Sequence, residues 1–468
     1  MSDSFLWFDL ETFGRSPRQS RIAQFAGIRT DSELNLIGEP ISLFCKPADD
    51  FLPEPEAAMI TGITPQYAFD NGLCEADFMA QLNAQFSQPH TCALGYNSLR
   101  FDDEFIRFGF YRNFYDAYER EYAGGNSRWD LLDVMRSVYA LQPDALHWPM
   151  REDGQPSFKL EHLAKANDCF EGEAHEALSD VRSLVNLARK IKNAAPGLWS
   201  YALTLRDKNL IADKLEIGRN RRILHVSGQF PTQQACTGLM LPLMLHPQIK
   251  TRTVAVELRE PALKLLDYTP EHIERNLFTA RTAMPEGELR IGIKEIHHNR
   301  CPIVFDADDM KPLGIKPDVE RLQLDIGRAM AIQEQLQAAL PQIREKLLAV
   351  FGSIRTFDDN DPDAALYSGF FDRSDKAKFS KARTSKGQAP LVFNDARLSE
   401  LYFRYRARNW PETLDARERD VWLALKKERI SDSTLAQYLA ECDTHIEAAP
   451  DKKSVLDALK AWAIAIER

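Results

Sequence analysis

The chain opens on Phe5-Leu6-Trp7-Phe8-Asp9-Leu10-Glu11-Thr12-Phe13-Gly14, an apolar run of strand length that ends in two carboxylates one residue apart. No other stretch constrains the fold as tightly. A strand repeats every two residues, so Asp9 and Glu11 point to one side of it. The apolar residues before them fall on both sides, the pattern of a central strand covered on both faces. Two anions held together at the end of a buried strand repel each other, and burying them unpaired is expensive. A divalent cation removes that cost. Taken alone, the pair reads more readily as the cap of a turn before Gly14. The metal reading therefore depends on acids further along.

After this strand, residues 22–30 and 37–47 read as two more strands, with turn residues at 31–35 between them. Residues 53–65 form a proline-rich loop carrying Thr61-Gly62-Ile63-Thr64-Pro65. A helix is predicted over 78–86 and a short strand over 91–95. That strand runs into Gly95-Tyr96-Asn97-Ser98-Leu99-Arg100-Phe101-Asp102-Asp103-Glu104-Phe105, where polar residues introduce a helix. Asp102 and Asp103 can complement the helix N-terminus. Equally, Asp102 can be a third metal-site carboxylate at the carboxyl end of a strand. Residues 129–142 look helical, and Ser157 to Glu161 resembles a polar cap before a periodic apolar face. A further helix contains Asp180 close to its start. His175, five residues earlier, would lie about 140° from Asp180 on one helix. The two can share a site only if His175 precedes the helix on a loop.

The character changes after Pro196-Gly197. Short strand-like runs at 225–228, 238–245, 254–258 and 291–296, with helical patterns at 262–267 and 270–280, predict a small β-rich domain with helical insertions. A longer helical region covers 322–351, interrupted by Pro341. Residues 357–363 are acidic and proline-bearing, a linker or surface turn, and helical patterns then run at 397–408, 415–428, 431–447 and 451–466. Two basic stretches stand out: residues 373–386, and Arg404, Arg406 and Arg408 beside Tyr402, Tyr405 and Trp410. Cations mixed with rings suit a single nucleic-acid strand; packing residues of a helical domain explain the rings as well.

The formal net charge of -10 argues against a bulk-basic nucleic-acid coat, but not against a local basic track or a carboxylate metal site. The seven cysteines are scattered without a C-x-x-C, which suits reduced thiols better than disulfides or a zinc site. No apolar run approaches bilayer length and no signal-peptide pattern opens the chain, so no membrane association and a cytoplasmic location are expected.

Asp9, Glu11, Asp102, His175 and Asp180 form an ordered set that resembles the DEDD family of 3′→5′ exonucleases, in the subclass whose base is a His five residues before the last Asp. Further motifs extend the likeness over nearly the whole length. Asp9-x-Glu11-Thr12-Phe13-Gly14, Gly95-Tyr96-Asn97 with Arg100 to Glu104, Tyr111 to Asp116, Asn126-Ser127-Arg128-Trp129-Asp130, His175-Glu176-Ala177 and Tyr405 to Asn409 resemble bacterial exonuclease I. The resemblance implies an α/β, ribonuclease H-like exonuclease domain over 1–196. An SH3-like β domain follows over 197–351, and an all-helical C-terminal domain over 352–468 closes a DNA groove. It implies processive, Mg2+-dependent 3′→5′ degradation of single-stranded DNA to 5′-mononucleotides, with two metal ions and Mn2+ as a substitute.

In that scheme Asp9, Glu11, Asp102 and Asp180 hold metal and His175 accepts the proton of the attacking water. Glu11, Thr12, Phe13, Asn97, Arg100, Arg128, Trp129 and Lys159 contact substrate. Lys159 stands where an Arg would fork onto a phosphate more tightly. The family also docks the C-terminal tail of single-stranded DNA-binding protein, with Tyr201 and Arg206 as candidates on the middle domain; a monomer is expected. Two rivals share these residues: a related nuclease for RNA oligomers or proofreading, and a catalytically dead module that only binds. The long C-terminal two-thirds argues against the first and the intact five-residue set against the second.

Overall fold

The computed structural model describes residues 4–172, 176–352 and 361–467. The chain divides into two compact units, each assembled from separate segments. The first gathers Met1–Ser127, Phe170–Val185 and Thr356–Arg468; the second gathers Arg128–Cys169 and Asn186–Arg355.

In the first unit, strands β1 (Ser4–Thr12), β2 (Ile22–Thr30), β3 (Ile41–Phe44) and β4 (Thr91–Gly95) are hydrogen-bonded in the order β3-β2-β1-β4. β1 pairs antiparallel with β2, Asp9 opposite Ala26 and Glu11 opposite Gln24, and parallel with β4, Trp7 beside Leu94. It is therefore the central strand its apolar run predicts. Leu6, Phe8 and Leu10 on one face join Phe25, Phe78, Phe86, Phe105 and Phe110 in a common core. Phe8 meets Phe86 edge-on at 5.1 Å. Removing a ring so enclosed costs about 3–5 kcal/mol.

The helices up to residue 194 are α1 (Pro55–Thr61), α2 (Pro65–Asn71), α3 (Glu75–Phe86), α4 (Asp102–Arg112), α5 (Leu131–Leu141), α6 (Leu160–Ala166) and α7 (Ala177–Ala194). The proline-rich stretch is thus not a loop throughout. Pro55 and Pro65 each open a helix, where a fixed φ helps and the missing N–H costs nothing. Gly62, at φ 71, ends α1, and the Thr64 side chain accepts from Tyr67 N–H to cap α2. The third strand is shorter than its hydrophobic run, and the predicted helix over 129–142 gives way to a strand, β5 (Ser127–Asp130), before α5 begins. Asp130 makes that break: its side chain accepts from Leu132 N–H at 2.9 Å as an N-cap. α6 likewise starts at Leu160 rather than at Ser157.

The second unit carries a separate sheet ordered β10-β6-β7-β8-β9: β6 (Ile223–Val226), β7 (Thr237–Leu245), β8 (Arg252–Glu257), β9 (Ile293–His297) and β10 (Ile303–Phe305). Its inner residues Leu241, Leu243, Val254 and Val256 pack with Ile332, Leu336, Ile343 and Leu347 of two helices, Ile326–Ala338 and Leu340–Phe351. The helical interruption predicted at Pro341 falls at the start of the second of these.

The C-terminal helices Ala396–Asn409, Ala416–Arg429, Asp432–Ala448 and Lys453–Glu467 dock on the first unit's own α/β part. Tyr111 and Phe114 share a core with Leu398, Leu401, Tyr402 and Tyr405, and Ala58 shares one with Leu435, Tyr438 and Leu456. Between these cores five guanidinium groups and four carboxylates interlock. Arg408 holds Asp50 at 2.7 Å and Asp363 at 2.6 Å, Arg429 reaches Asp50, Asp361 and Asp363, and Arg404 reaches Asp361 and Asp363. Arg21 and Arg112 share Glu75. Burial alone would raise the Asp50 and Asp363 carboxyls, but Arg408, Arg21 and Arg429 outweigh it and hold both below the usual range, Asp363 well below. This corrects two expectations. Arg404 and Arg408, with Tyr402 and Tyr405, form a buried joint rather than a strand-binding surface. Asp361 and Asp363 are parts of that joint rather than of a free linker.

Candidate active site

Because Leu6, Phe8 and Leu10 occupy one face of β1, the odd residues present Asp9 and Glu11 to the other. There they meet Asp180, in the first turn of α7. A carboxylate oxygen from each of the three lies within 4.8 Å of the other two, and all three residues are half-buried. A bulge between Glu11 and Thr12 shifts the register of β1 against β2 immediately after the pair, the kind of irregularity that re-aims side chains beside active sites. Burial, with the Asp180 charge, pushes Asp9 up to about 7 against the opposing Leu10 N–H; burial, with the charges of Asp9 and Asp180, pushes Glu11 up to about 9. These oxygens repel one another and call for a cation among them. An all-oxygen donor set of this kind suits a hard divalent ion.

Asp102 opens α4 and is 4 % exposed. It is not within that close trio, yet its helix starts at the same end of the sheet. β4 finishes beside β1 so closely that a Cβ on Gly95 would lie 2.7 Å from the Phe8 carbonyl oxygen. Asp103 is separately engaged, in a buried pair with Arg120 at 2.5 Å. His175 lies outside the described residues.

The chain just beyond Glu11 is tightly held. Thr12 Oγ1 donates to Gly14 O at 2.7 Å, and Phe13 is buried against Phe51. Glu54 accepts from Arg15 N–H at 3.0 Å, and its own N–H donates to Phe13 O at 2.7 Å. Glu54 is a positioning residue that sequence spacing could not reveal, since nothing local links it to a turn 39 residues earlier. Gly14 reflects it: a Cβ there would fall 2.3 Å from Glu54 Oε1. Asn97 is half-buried in the left-handed region at φ 64, and Arg100 is exposed, its N–H bonded to Asn97 O.

In the second unit, the Arg128 guanidinium donates to Asn299 O at 3.1 Å. Trp129 is 1 % exposed, its ring edge-on to Trp199 at 5.0 Å. Lys159 is exposed immediately before α6. Tyr201 donates to Val304 O and Asp309, while Arg206 bonds to Leu203 O.

Three family models match the chain in sequence order: the Exonuclease model over residues 6–188, the Exonuclease I SH3-like domain over 206–353 and the Exonuclease I C-terminal domain over 360–466. The fold is thus an α/β exonuclease domain followed by an SH3-like domain and a helical C-terminal domain. Exodeoxyribonuclease I of Escherichia coli (strain K12) is 40% identical over 470 residues, 99% of this chain and 98% of that protein. The zinc-ion-bound form of the E. coli ExoI–ssDNA complex superposes with a TM-score of 0.94 at 38% identity, and an ExoI/SSB-Ct complex with 0.92 at 38%, each over 100% of both chains. The chain belongs to the exonuclease I family.

Proposed function

We propose that this chain is a metal-dependent 3′→5′ exodeoxyribonuclease that degrades single-stranded DNA to 5′-mononucleotides, serving DNA repair and recombination in the cytoplasm. The observation that carries the reading is the convergence of Asp9, Glu11 and Asp180 from β1 and α7 into one cluster of mutually repelling oxygens. Full-length similarity to exodeoxyribonuclease I, and to a solved complex of it with single-stranded DNA, supports the substrate. No helix among the described residues is long and apolar enough to cross a membrane.

In this reading Asp9, Glu11 and Asp180, with Asp102 from α4, would hold two Mg2+ ions, Mn2+ substituting, which would supply water activation and charge stabilisation for an in-line displacement at phosphorus. The protein's own contribution is placement. The rigid, aromatic-backed strand fixes Asp9 and Glu11, and the Thr12–Gly14 turn, pinned by Glu54, holds the chain beyond them. His175 accepts a proton from the attacking water as general base. Asn97, Arg100 and Lys159, half-buried or exposed, are the candidates for contacts to the strand, while Thr12, Phe13, Arg128 and Trp129 are buried and support the surface around them. The similar ExoI/SSB-Ct complex supports docking of the C-terminal tail of single-stranded DNA-binding protein, with Tyr201 and Arg206 as candidate contacts and the enzyme acting as a monomer.

The test uses 5′-labelled single-stranded DNA, its duplex form and a matched RNA, each with Mg2+ and with chelator, beside Asp9→Ala. Metal-dependent shortening of the DNA strand, lost in the variant, is expected. Preference for RNA overturns the substrate assignment, and binding without cleavage overturns the enzyme.

A further inference from the structure

A cluster of cations in the second unit has no part in the catalytic chemistry. A cavity of about 370 Å3 opens there at the end of the sheet where β6 and β8 finish and β9 begins. Small-ligand sites usually measure roughly 300–1,000 Å3. Arg259, Arg281, Arg290 and Lys294 all line it. Among the described lining residues there is one carboxylate, Glu257. It is already engaged: Arg259 holds it at 2.7 Å, and the Gln234 amide donates to it at 3.2 Å.

Arg281 and Arg290 are left without a carboxylate. Arg281 is exposed and makes no ion pair among the described residues. Arg290 donates to Leu277 O and Thr279 O at the C-terminal end of the helix Pro270–Phe278, which fixes its guanidinium without an ionic partner. Its Nε is buried and makes no hydrogen bond among the described residues. The rest of the lining is apolar. Phe230 is 9 % exposed, with the Lys294 ammonium 4.8 Å from its ring centre. Gly238 gives that ring its room, since a Cβ there would fall 2.5 Å from Phe230 Cε1. Phe230 is therefore a fixed wall, continued by Pro231 and Pro261.

We propose that this cavity binds a phosphomonoester, a free nucleoside 5′-monophosphate, with Arg281 and Arg290 on its phosphate and the Phe230–Pro231–Pro261 wall against its sugar and base. The inference rests on the exonuclease reading above, which makes such nucleotides the product. Charge decides the class of ligand. A phosphodiester within a strand carries a single negative charge, whereas a phosphomonoester carries about 1.5 to 2 at pH 7. The larger charge matches two guanidinium groups without carboxylates, whose planar forks suit phosphate oxygens. Inorganic phosphate would meet the cations but leave the apolar wall in water. The cavity shares no residue with the cluster of Asp9, Glu11 and Asp180, so occupancy of the two is separable by mutation.

Calorimetric titration of the full chain in chelator tests this. The probe is deoxyadenosine 5′-monophosphate, set beside deoxyadenosine, inorganic phosphate and the methyl ester of the nucleotide's phosphate. The nucleotide is expected to bind more tightly than any of the three. Arg281→Gln, at an exposed position the fold tolerates, should weaken it on the order of tenfold. Arg290→Lys keeps the charge but loses the fork, and should weaken it too. Asp9→Ala leaves the affinity at the wild-type value. Equal binding of inorganic phosphate overturns the nucleotide, and equal binding of deoxyadenosine overturns the phosphate contact. Equal binding of the methyl ester overturns the monoester and places a strand phosphate in the cavity. A loss in Asp9→Ala but not in Arg281→Gln overturns the site, by placing the nucleotide among the metal-site carboxylates. No binding at all overturns the proposal outright. If wild type releases no mononucleotide from single-stranded DNA with Mg2+, the exonuclease reading itself fails, a result read from cleavage and distinct from every binding outcome.

Discussion

Asp9 and Glu11 are raised by burial and by like charge, while Asp50 and Asp363, more deeply buried, are lowered by the arginines around them. Both groups lie in the same unit, and both are carboxylates withdrawn from water. The difference is who supplies the compensating charge. At the C-terminal joint the protein supplies it, with Arg404, Arg408 and Arg429 closing on the acids, and the result is a fixed weld between helices and sheet. At the end of β1 the repulsion is left standing, which destabilises the metal-free fold and favours a divalent cation. A buried, balanced ion cluster is architecture; a buried, unbalanced one is a binding site waiting for its ion.

The comparison breaks most visibly in turnover. Asp9→Ala is expected to lower the single-turnover rate on single-stranded DNA by orders of magnitude. Asp363→Asn, measured per folded molecule, leaves that rate near wild type. Next in size is stability: Arg408→Ala takes a shared guanidinium from two buried carboxylates and should cost about 3–5 kcal/mol in denaturant unfolding, whereas Asp9→Ala costs none in chelator.

The pH dependence separates the clusters by sign. Asp50 and Asp363 bind protons more weakly folded than unfolded, so their stabilisation is full above about 4 and lost as pH falls through the folded values. Asp9 and Glu11, raised to about 7 and about 9, hold protons in the metal-free fold that the unfolded chain has released. Their contribution turns unfavourable as pH rises from about 4 towards 9. The melting-temperature gap between Asp9→Asn and wild type in chelator should therefore widen in favour of the variant from pH 5 to pH 8, about the interval those shifts span. The smallest effect is Glu11→Gln at pH 5, where the wild-type carboxyl already holds its proton in the fold and little is gained by replacing it; there it should raise the metal-free Tm by about 1–3 °C.

Much of this contrast was legible in the sequence on one side only. The central strand, the carboxylates it carries and the helix around Asp180 follow from periods of 2 and 3.6, which local sequence records. The joint does not. Asp50 lies 358 residues before Arg408 and Asp363 lies 45 before it, and locally Asp363 reads as linker while the Arg404–Arg408 run beside aromatic residues reads as a nucleic-acid surface. Only the partner across the fold decides whether an arginine is buried or offered. Pro55 and Pro65 misled for a related reason, since proline marks both loops and helix starts. The strand at Ser127–Asp130 was lost because Trp129 joins an apolar period that really begins after the Asp130 cap.

The most direct measurement is thermal unfolding of wild type and Asp9→Asn, each in chelator and with Mg2+. The account predicts that the variant melts above wild type in chelator, and that Mg2+ raises wild type but leaves the variant in place. A variant that melts below wild type in chelator, with Mg2+ moving neither protein, would mean that the carboxylates at the end of β1 are compensated from within, like those at the joint, and await no ion.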